Sequence, residues 1–361
     1  MGILDFVVNQ AKKIIEKNNN NDNINNNYRN ETYNNNKLVN YQRDKFNKEQ
    51  VIALFLKSMS YRPHKIGKNN NDDYPGYLPY EYNILDVPSF HKEMIEIGYF
   101  KTADFKNVIS RYKVDEIKAL LKDSQEKINK LKKEELINLA VKTLDENNKN
   151  QIVAESKMFE LSEEGIKYLE TYKEFLSIVD LQKYCISFSL FMDYREKLPS
   201  YSTIRDVAWH ILNERLNYYQ KEQQFGMYRN VFLQMANFLD EEKKSINALY
   251  YYILIMYYDI NLAYIQYDMV AYKFDKKIYL DMLHRNILAP AIISKVKEYS
   301  DLHNDSIFEK LFRNEVLPYK FLSNEDFKNM IIDIYNNSFF DENKYVDIVL
   351  ENATNAINKI S

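Results

Sequence analysis

Glycine and proline are scarce in this chain, with six and seven residues respectively among 361. An all-β fold needs turn-forming residues roughly every 8–12 positions, and so few of them cannot supply those turns. Hydrophobic residues make up 45% of the chain, which is typical of a globular protein with a packed core. We therefore predict a mostly α-helical fold with at most one or two short strands, long enough for two or three domains.

The sequence also predicts the cellular compartment of the protein. Cys185 is the only cysteine, so no intrachain disulfide can form, and its apolar neighbours predict a small core residue inside a helix. The N-terminus lacks the basic and apolar regions of a signal peptide, and the most apolar run, residues 246–258, is too short to span a bilayer. These features predict a cytoplasmic protein without a membrane partner. The net charge of −3 means that any nucleic-acid binding must be local.

The N-terminal part combines an amphipathic segment with a linker. Residues 3–17 have the apolar spacing of a short helix, and residues 18–36 are so rich in asparagine that they predict a disordered linker. This tethered helix has two interpretations. It docks on the rest of the chain or on a partner, or it is a loosely held terminal helix. The apolar stripe consists of Ile3, Leu4, Val7, Val8, Ala11, Ile14 and Ile15.

Residues 37–73 are predicted to form a helix and a loop. The helix spans about 47–60, and Asn47 and Gln50 have the spacing of a capping box. Residues 61–88 contain four of the seven prolines, which predicts an ordered loop packed flat on a neighbouring surface. Ser89 is then the predicted cap of a helix that ends at Gly98, and another helix is predicted to begin at Thr102.

Residues 108–144 carry two apolar helical stripes separated by a polar stretch. In that stretch, Ile128 and Leu131 can fill the gap between the two helices. The pattern of residues 113–121, KVDEIKALL, followed by residues 132–137, KKEELI, resembles the SAP domain, a small helical DNA-binding module. The resemblance implies a helix–extended loop–helix module that binds DNA. The glycines that the family carries in its loop are absent here, so the geometry of the loop stays open.

The resemblance extends to the flanks, which look like those of bacterial and phage-type proteins that carry a SAP domain. We therefore assign residues 74–170 to a SAP-like region. The flanking motifs are Tyr74-Pro75-x-Tyr77, His91-Lys92-x-Met94-Ile95, Gly98-Tyr99-Phe100 and Leu161-Ser162-Glu163-Glu164-Gly165.

Local charge gives an independent argument for this region. Residues 101–142 contain eleven Lys and Arg against seven Asp and Glu. A phosphate at the start of the second helix would meet lysines and free backbone N–H groups together. Such contacts predict weak sequence specificity and steep salt dependence. The predicted nucleic-acid-binding residues are Arg111, Lys113, Lys118, Lys130, Lys132 and Lys133.

An alternative interpretation is that these lysines form the solvated face of a protein-docking module. Glu134 and Glu135 complement the helix dipole and would repel DNA. Residues 157–161 predict a short strand before a helix capped by Ser162. This element also ends many winged-helix domains, where the strand is a lone β-wing.

Residues 177–361 are predicted to form an array of helices joined by short loops. The predicted caps are Asp180, Ser202, Ser323 and Asp341, with Pro290 in a first turn. The predicted helices span 180–197, 203–222, 227–240, 245–259, 262–273, 276–286, 289–300, 305–316, 324–337 and 342–358.

One helix pair in this array resembles a tetratricopeptide repeat. Ala236 and Ala248 are 12 residues apart, as the repeat requires, and small residues there let the two helices of a hairpin approach closely. In the motif Phe232-x-x-Met235-Ala236-x-x-Leu239 followed by Ala248-x-x-x-Tyr252-x-x-Ile255, the resemblance implies that Phe232, Leu239 and Tyr252 fill the space around the two alanines. The resemblance implies a tetratricopeptide-like domain.

Helical repeats usually present a concave surface to a peptide or a protein. By position, the candidate partner-binding residues are Arg205, Arg215, Tyr228, Arg229 and Asn230. Trp209 and Tyr250–Tyr252 are predicted to pack against neighbouring helices instead.

Motifs for catalysis and for cofactors are absent. The five histidines lack the spacing of metal ligands, and there is no glycine-rich phosphate loop and no nucleophile elbow. We therefore predict no catalytic residues, no metal and no cofactor. The predicted function is an adaptor that binds DNA through the SAP-like region and a protein through the helical domain. The alternative is a scaffold that binds only protein, and an enzyme with a dispersed site ranks last.

Overall fold

The computed structural model describes residues 38–39, 43–122, 128–271, 287–337 and 339–360. Within these residues the chain forms 18 α-helices and three short strands. The mostly α-helical fold that the sequence predicts is therefore confirmed, with one strand more than expected. The predicted helix at 3–17, the predicted linker at 18–36 and the predicted helix at 276–286 lie outside the described residues.

The fold consists of two compact units. The inserted unit consists of residues 43–192, and the helical unit contains residues 38–39 together with 193–360. This division differs from the predicted one, in which residues 37–73, 74–170 and 177–361 are separate. Ile52 and Phe55 share one core with Tyr74 and Met94, so the segment before residue 74 belongs with the region that follows it.

The inserted unit begins with a capped helix, α1. Asn47 accepts a hydrogen bond from the backbone N–H of Gln50, and the Gln50 side chain accepts one from the N–H of Asn47, which confirms the predicted capping box. The elements up to the sheet's last strand are α1 (Lys48–Met59), β1 (His64–Lys65), α2 (Leu78–Glu81), α3 (Val87–Ile97), β2 (Phe100–Thr102), α4 (Phe105–Ser110), α5 (Val114–Leu120), a 3₁₀ turn (Ile128–Lys130), α6 (Lys133–Thr143), α7 (Glu146–Ser156) and β3 (Met158–Leu161). Further on come α8 (Glu163–Thr171), α9 (Lys173–Val179), a 3₁₀ turn (Asp180–Tyr184) and α10 (Phe188–Arg195), which crosses the boundary between the units.

The three strands form one antiparallel sheet in the order β1–β3–β2. Phe159 in β3 lies opposite His64 on one side and Thr102 on the other. The prediction of a lone β-wing at residues 157–161 is wrong, because β3 is the central strand and is paired on both edges.

Two buried histidines lie in this unit. His64 and His91 are 2% and 0% exposed. The Nδ1 atom of His64 lies 3.0 Å from the carbonyl oxygen of Asp73, and that of His91 lies 3.0 Å from the hydroxyl of Tyr74. The Nε2 atoms of both rings are buried without a hydrogen-bond partner. Burial lowers the pKa of both imidazoles, that of His91 to about 4.

Four local predictions in this unit are wrong. Cys185 is exposed rather than buried in a helix, because it occupies a left-handed position with φ of 59° that ends a 3₁₀ turn. This residue breaks the predicted helix 180–197, so Asp180 begins that 3₁₀ turn instead of capping a long helix. Asp86, not Ser89, caps α3. Thr102 ends β2, and the next helix begins at Phe105.

The helical unit is a series of helices joined by tight turns. The predicted array is confirmed in outline for residues 203–271 and 289–360. Its elements are α11 (Ile204–Lys221), α12 (Phe225–Glu241), α13 (Ser245–Ile260), α14 (Ala263–Ala271), α15 (Pro290–Glu298), a 3₁₀ turn (Ser300–Leu302), α16 (Ser306–Asn314), α17 (Asn324–Asn336) and α18 (Asn343–Ile360).

The predicted caps of this array are partly correct. Ser323 caps α17, and Pro290 stands in the first turn of α15. Thr203 caps α11 in place of the predicted Ser202, because its side chain accepts from the N–H of Asp206. Asp341 accepts from the N–H of Asn343, just ahead of α18.

Consecutive helices of the array pack closely where small residues meet. Ala236 on α12 and Ala248 on α13 are both fully buried, and these two helices form the most extensive helix pair among the described residues. Three successive turns place a residue other than glycine in the left-handed region, at Gln223, Lys243 and Leu262. The array therefore makes its reversals without the glycines that such turns usually contain.

Two buried amide side chains fasten the loop before α17 to the turn between α13 and α14. The Asn261 Oδ1 accepts hydrogen bonds from the backbone N–H groups of Phe321 and Leu322 at 2.7 and 3.1 Å. Gln266 accepts from the N–H of Tyr319 and donates to its carbonyl oxygen. Asn261 also donates to the carbonyl oxygen of Tyr257, and Gln266 donates to that of Asn261, so both buried amide groups are hydrogen-bonded.

Among the described residues, no single helix has the length and apolarity needed to cross a membrane. One pair of segments, Lys173–Tyr184 and Phe188–Arg195, reaches that length and apolarity only together, across a bend of 111°. The predicted cytoplasmic location stays a prediction.

Candidate functional site

A groove lies in the helical unit between the first turns of α12 and α14 and encloses about 490 Å³. Its wall is formed by the first turns of α12 and α14 and by the end of α13. The lining residues are Gln224, Phe225, Gly226, Met227, Arg229, Asn230, Asp259, Ala263, Tyr264 and Tyr267.

Local sequence explains why the two helices meet here. Gln223 adopts a φ of 55°, so the chain reverses sharply and α12 starts directly beside α13 and α14. Gly226 follows in the first turn of α12. A Cβ atom on this residue would lie 3.1 Å from the Cα atom of Tyr264, closer than almost all natural Cβ contacts. Glycine therefore permits the close approach of α12 and α14 that forms one end of the groove.

The rim of the groove is apolar and exposed. Met227, Tyr264 and Tyr267 are 44%, 44% and 39% exposed, whereas Phe225 and Ala263 beneath them are buried. Tyrosine and methionine are enriched at the centres of protein–protein interfaces. A ring of half-exposed large side chains over a buried floor is the geometry that accepts an anchor residue of a partner.

One ion pair forms the charged part of the groove. Arg229 donates from Nε and one terminal nitrogen to the two carboxylate oxygens of Asp259, each at 2.6 Å. Burial raises the pKa of Asp259, and the guanidinium opposes that shift. Arg229 and Asp259 are the charged residues of the lining, and they neutralise each other, so the groove favours uncharged ligands.

Two of the five predicted partner-binding residues line this groove, namely Arg229 and Asn230. Tyr228 does not, because its ring is buried against Phe232 and Tyr258 at centroid distances of 4.7 and 5.6 Å. On a helix, neighbours in sequence point in directions about 100° apart. Tyr228 thus faces the core while Met227 faces the groove.

Arg205 and Arg215 also serve the fold rather than the groove. The Arg205 Nε donates to both carboxylate oxygens of Glu242 at 2.8 and 3.0 Å. Arg215 is 6% exposed and donates from Nε to the carbonyl oxygen of Leu38 at 2.8 Å. Sequence position alone did not distinguish arginines that hold helices together from arginines that face solvent.

The SAP-like region contains the predicted pair of helices. α5 and α6 share a core with α4, formed by residues such as Ile117, Leu136 and Ala140. Ile128 and Leu131 pack against that core, as the sequence predicts for the stretch between the helices. Residues 123–127, in the predicted loop between these two helices, lie outside the described residues, so the extended loop stays a prediction.

Four of the five predicted lysines lie at or just before the start of α5 or α6, whereas Lys118 lies in the last turn of α5. The Lys133 ammonium donates to the carbonyl oxygen of Ser110 at 2.7 Å, three residues before Lys113. The N-termini of α5 and α6 therefore lie near each other, with Lys113 and Lys132 directly ahead of the two helices. Lys130 is exposed nearby in the 3₁₀ turn.

Carboxylates already occupy part of this surface. Glu116 accepts from the backbone N–H of Lys113, and Glu135 accepts from that of Lys132, each at 2.6 Å. The expectation of free backbone N–H groups at the start of the second helix is therefore wrong for Lys132. In the part of the chain that the structure describes, the ammonium groups of Lys113, Lys118, Lys130 and Lys132 make no ion pair.

Arg111, also predicted to contact phosphate, is engaged within the fold. Its guanidinium lies 2.7 Å from a carboxylate oxygen of Asp73, which also pairs with Arg62 at 3.1 Å. A phosphate contact from Arg111 would require it to leave this carboxylate.

The residues that sequence reasoning missed are Met227, Tyr264 and Tyr267, together with Gly226, which brings their helices together. Gly226, directly before the predicted helix 227–240, was the one available signal, because a glycine allows another backbone to approach closely. Among the described residues, no group of three or more His, Cys, Asp or Glu side chains could hold a metal ion.

Comparison of the chain with models of protein families, with curated proteins and with solved structures found no match in any of the three.

Proposed function

We propose that this chain is a non-catalytic binding protein whose helical unit receives a short segment of another protein in the groove between α12 and α14. The observation that carries the proposal is the rim of half-exposed Met227, Tyr264 and Tyr267 around a buried floor. Isolated exposed apolar residues are ordinary on protein surfaces, whereas three around one concavity mark an interaction site.

The chemistry of the lining defines the partner. The charged side chains pair with each other, and the other polar groups are the amides of Gln224 and Asn230. A fitting segment therefore carries an apolar or aromatic anchor, flanked by backbone groups that the two amides can bind. A segment that had to bury a carboxylate or an ammonium group would lose its hydration without gaining a partner.

Selection from a library of random 15-residue peptides displayed on phage tests this proposal, with the immobilised full chain as the target. We expect enrichment of peptides that contain an apolar or aromatic anchor, and we expect Tyr264→Ala to lower the affinity of a selected peptide by about tenfold or more. Tyr201, in the same unit and 85% exposed, provides the matched control Tyr201→Ala, which should leave that affinity unchanged. Peptides that bind equally well to both variants, or no enrichment, would refute the proposal.

A second candidate function is nucleic-acid binding by the SAP-like region. It is favoured by the exposed Lys130 and Lys132 at the start of α6, with Lys113 just before α5, since a helix dipole and several ammonium groups attract phosphate. Glu116 and Glu135 at the same place oppose it, so this candidate ranks below the groove.

Fluorescence anisotropy of labelled duplex DNA with the full chain, at two salt concentrations, tests the second candidate. Binding at low salt that weakens steeply as salt rises would support it. No binding at low salt would remove it and leave the groove as the functional site.

A further inference from the structure

Leu38 marks the place where the N-terminal part of the chain meets the helical unit. Its carbonyl oxygen accepts a hydrogen bond from the buried Arg215, and its side chain is 3% exposed. Leu38 is therefore fixed on the same unit that contains the groove.

The anchor point lies close to the groove. The guanidinium of Arg215 also donates to the side chain of Gln234 on α12 at 3.3 Å. Met227, Asn230 and Gln234 are spaced by three and four residues, so they share one face of α12. The rise along that face from Gln234 to Met227 is about 10 Å.

The N-terminal sequence supplies an occupant of the right chemistry. Residues 3–17 carry an uncharged apolar stripe that includes Leu4, Val8 and Ile15, and the groove favours uncharged apolar anchors. A random-coil chain of 19 residues, the length of the intervening stretch 18–36, has an end-to-end distance of about 25 Å. That length comfortably spans the distance from Leu38 to the groove.

From this geometry we propose that residues 3–17 dock by their apolar stripe into the groove between α12 and α14 of the same chain and compete there with the partner segment. The inference rests on the proposed function of the groove and adds its regulation. A short flexible tether gives an effective concentration on the order of millimolar. A segment that binds with an intrinsic Kd of about 0.1 mM would then weaken the partner's apparent affinity about tenfold.

Site-specific photo-cross-linking in the full chain tests the inference. Val8 and Asn9 are replaced, one at a time, by the photoreactive residue p-benzoylphenylalanine. Val8 lies in the stripe, whereas Asn9 lies on the opposite side of a helix with this sequence. We expect intramolecular cross-links from position 8, but not from position 9, to peptides that contain residues 224–230 and 259–267.

A groove variant provides the second arm. Tyr264→Ala with Tyr267→Ala should reduce the yield from position 8 at least severalfold, while Tyr201→Ala should leave it unchanged. Equal cross-linking from positions 8 and 9, or none to the groove, would overturn the inference. Cross-links that join two molecules and vanish on dilution would overturn it as well, since they would assign the groove to a second copy of the chain.

The two proposals fail in distinguishable ways. If displayed peptides bind the groove and position 8 does not cross-link, the proposed function stands and its regulation by residues 3–17 is refuted. If position 8 cross-links to the groove and no peptide is selected even after residues 3–17 carry Leu4→Asp and Val8→Asp, the groove serves the chain's own segment and the proposed partner function is refuted.

Discussion

Two pairs of buried polar side chains, one pair in each unit, differ in how completely they are hydrogen-bonded. In the helical unit, Asn261 and Gln266 are fully buried, and each bonds to the backbone of the loop before α17. In the inserted unit, His64 and His91 are equally buried, and each ring has one nitrogen without a partner. Removal of either amide side chain should therefore lower the free energy of unfolding, because it leaves buried backbone groups unpaired. The two histidines should instead make stability depend on pH, because an unpartnered buried imidazole resists protonation.

Replacing Asn261 by Ala should give the largest effect on this comparison. The change leaves the N–H groups of Phe321 and Leu322 buried and unpaired, and we expect a loss of about 2–6 kcal/mol in the free energy of unfolding. Trp209 is the only tryptophan and lies in the helical unit, so its fluorescence during urea denaturation reports on this unit. Asn336→Ala, at an exposed position, is the control. An equal, small change in both variants would show that the loop is not fastened by Asn261.

Acidification should destabilise the inserted unit next most strongly. The pKa of His91 is lowered from 6.5 to about 4 in the fold, so the unfolded chain binds more protons between these values. The stability that depends on a neutral His91 is fully present above pH 6.5 and is lost as the pH falls towards 4. This loss amounts to about 3 kcal/mol in the free energy of unfolding. Amide hydrogen exchange of β3 measures it, and His91→Leu should flatten the dependence on pH. The half-exposed His210 in the helical unit gives the control His210→Leu, and a slope unchanged by His91→Leu would contradict the expectation.

Overpacking of the contact between α12 and α13 should have a smaller effect. Ala248 is fully buried, and Ala248→Leu is expected to lower the free energy of unfolding by about 1–3 kcal/mol. Urea denaturation followed by Trp209 fluorescence measures the change. The control is Ile246→Leu in the first turn of α13. Ile246 is 60% exposed, so this change should leave the free energy of unfolding unchanged. A neutral Ala248→Leu would mean that the two helices can separate at no cost.

The smallest expected effect concerns the charged surface of the inserted unit. If DNA binds there, replacing Lys130 and Lys132 by Gln should lower the slope of log affinity against log salt by about one for each lost phosphate contact. Fluorescence anisotropy with the full chain measures this slope. The control is Lys297→Gln in the helical unit, which should leave the slope unchanged. A slope that is the same in all variants would place any DNA contact elsewhere.

Local patterns in the sequence predicted those parts of the fold that depend on neighbours along the chain. Asn47 with Gln50 predicted a capping box, Gly98 predicted the end of α3, and the spacing of Ala236 and Ala248 predicted a close helix pair. Each of these depends on contacts within a few residues or on one helix face. Cys185 shows the limit, because an apolar neighbourhood predicted a helix and a left-handed turn interrupted it.

The candidate site was less predictable for a physical reason. Arg205, Arg229 and Arg111 each look like a free contact residue in sequence, yet each pairs with a carboxylate at least 30 residues away along the chain. The choice between a salt bridge and a solvated side chain is decided by which carboxylate the fold brings near. Lysines with a long flexible stem stayed exposed at several of the predicted positions, so for them sequence position was a better guide.

The sequence by itself determined that this chain is mostly helical, where most of its helices lie and which residues cap several of them, because hydrophobic periodicity and capping act over one or two turns. Only the tertiary structure decided that the groove exists. It forms where Gly226 lets α12 approach α14 and leaves Met227, Tyr264 and Tyr267 exposed around one concavity. No pattern within a single helix records that juxtaposition, since the residues that create it come from separate helices whose positions depend on long-range packing.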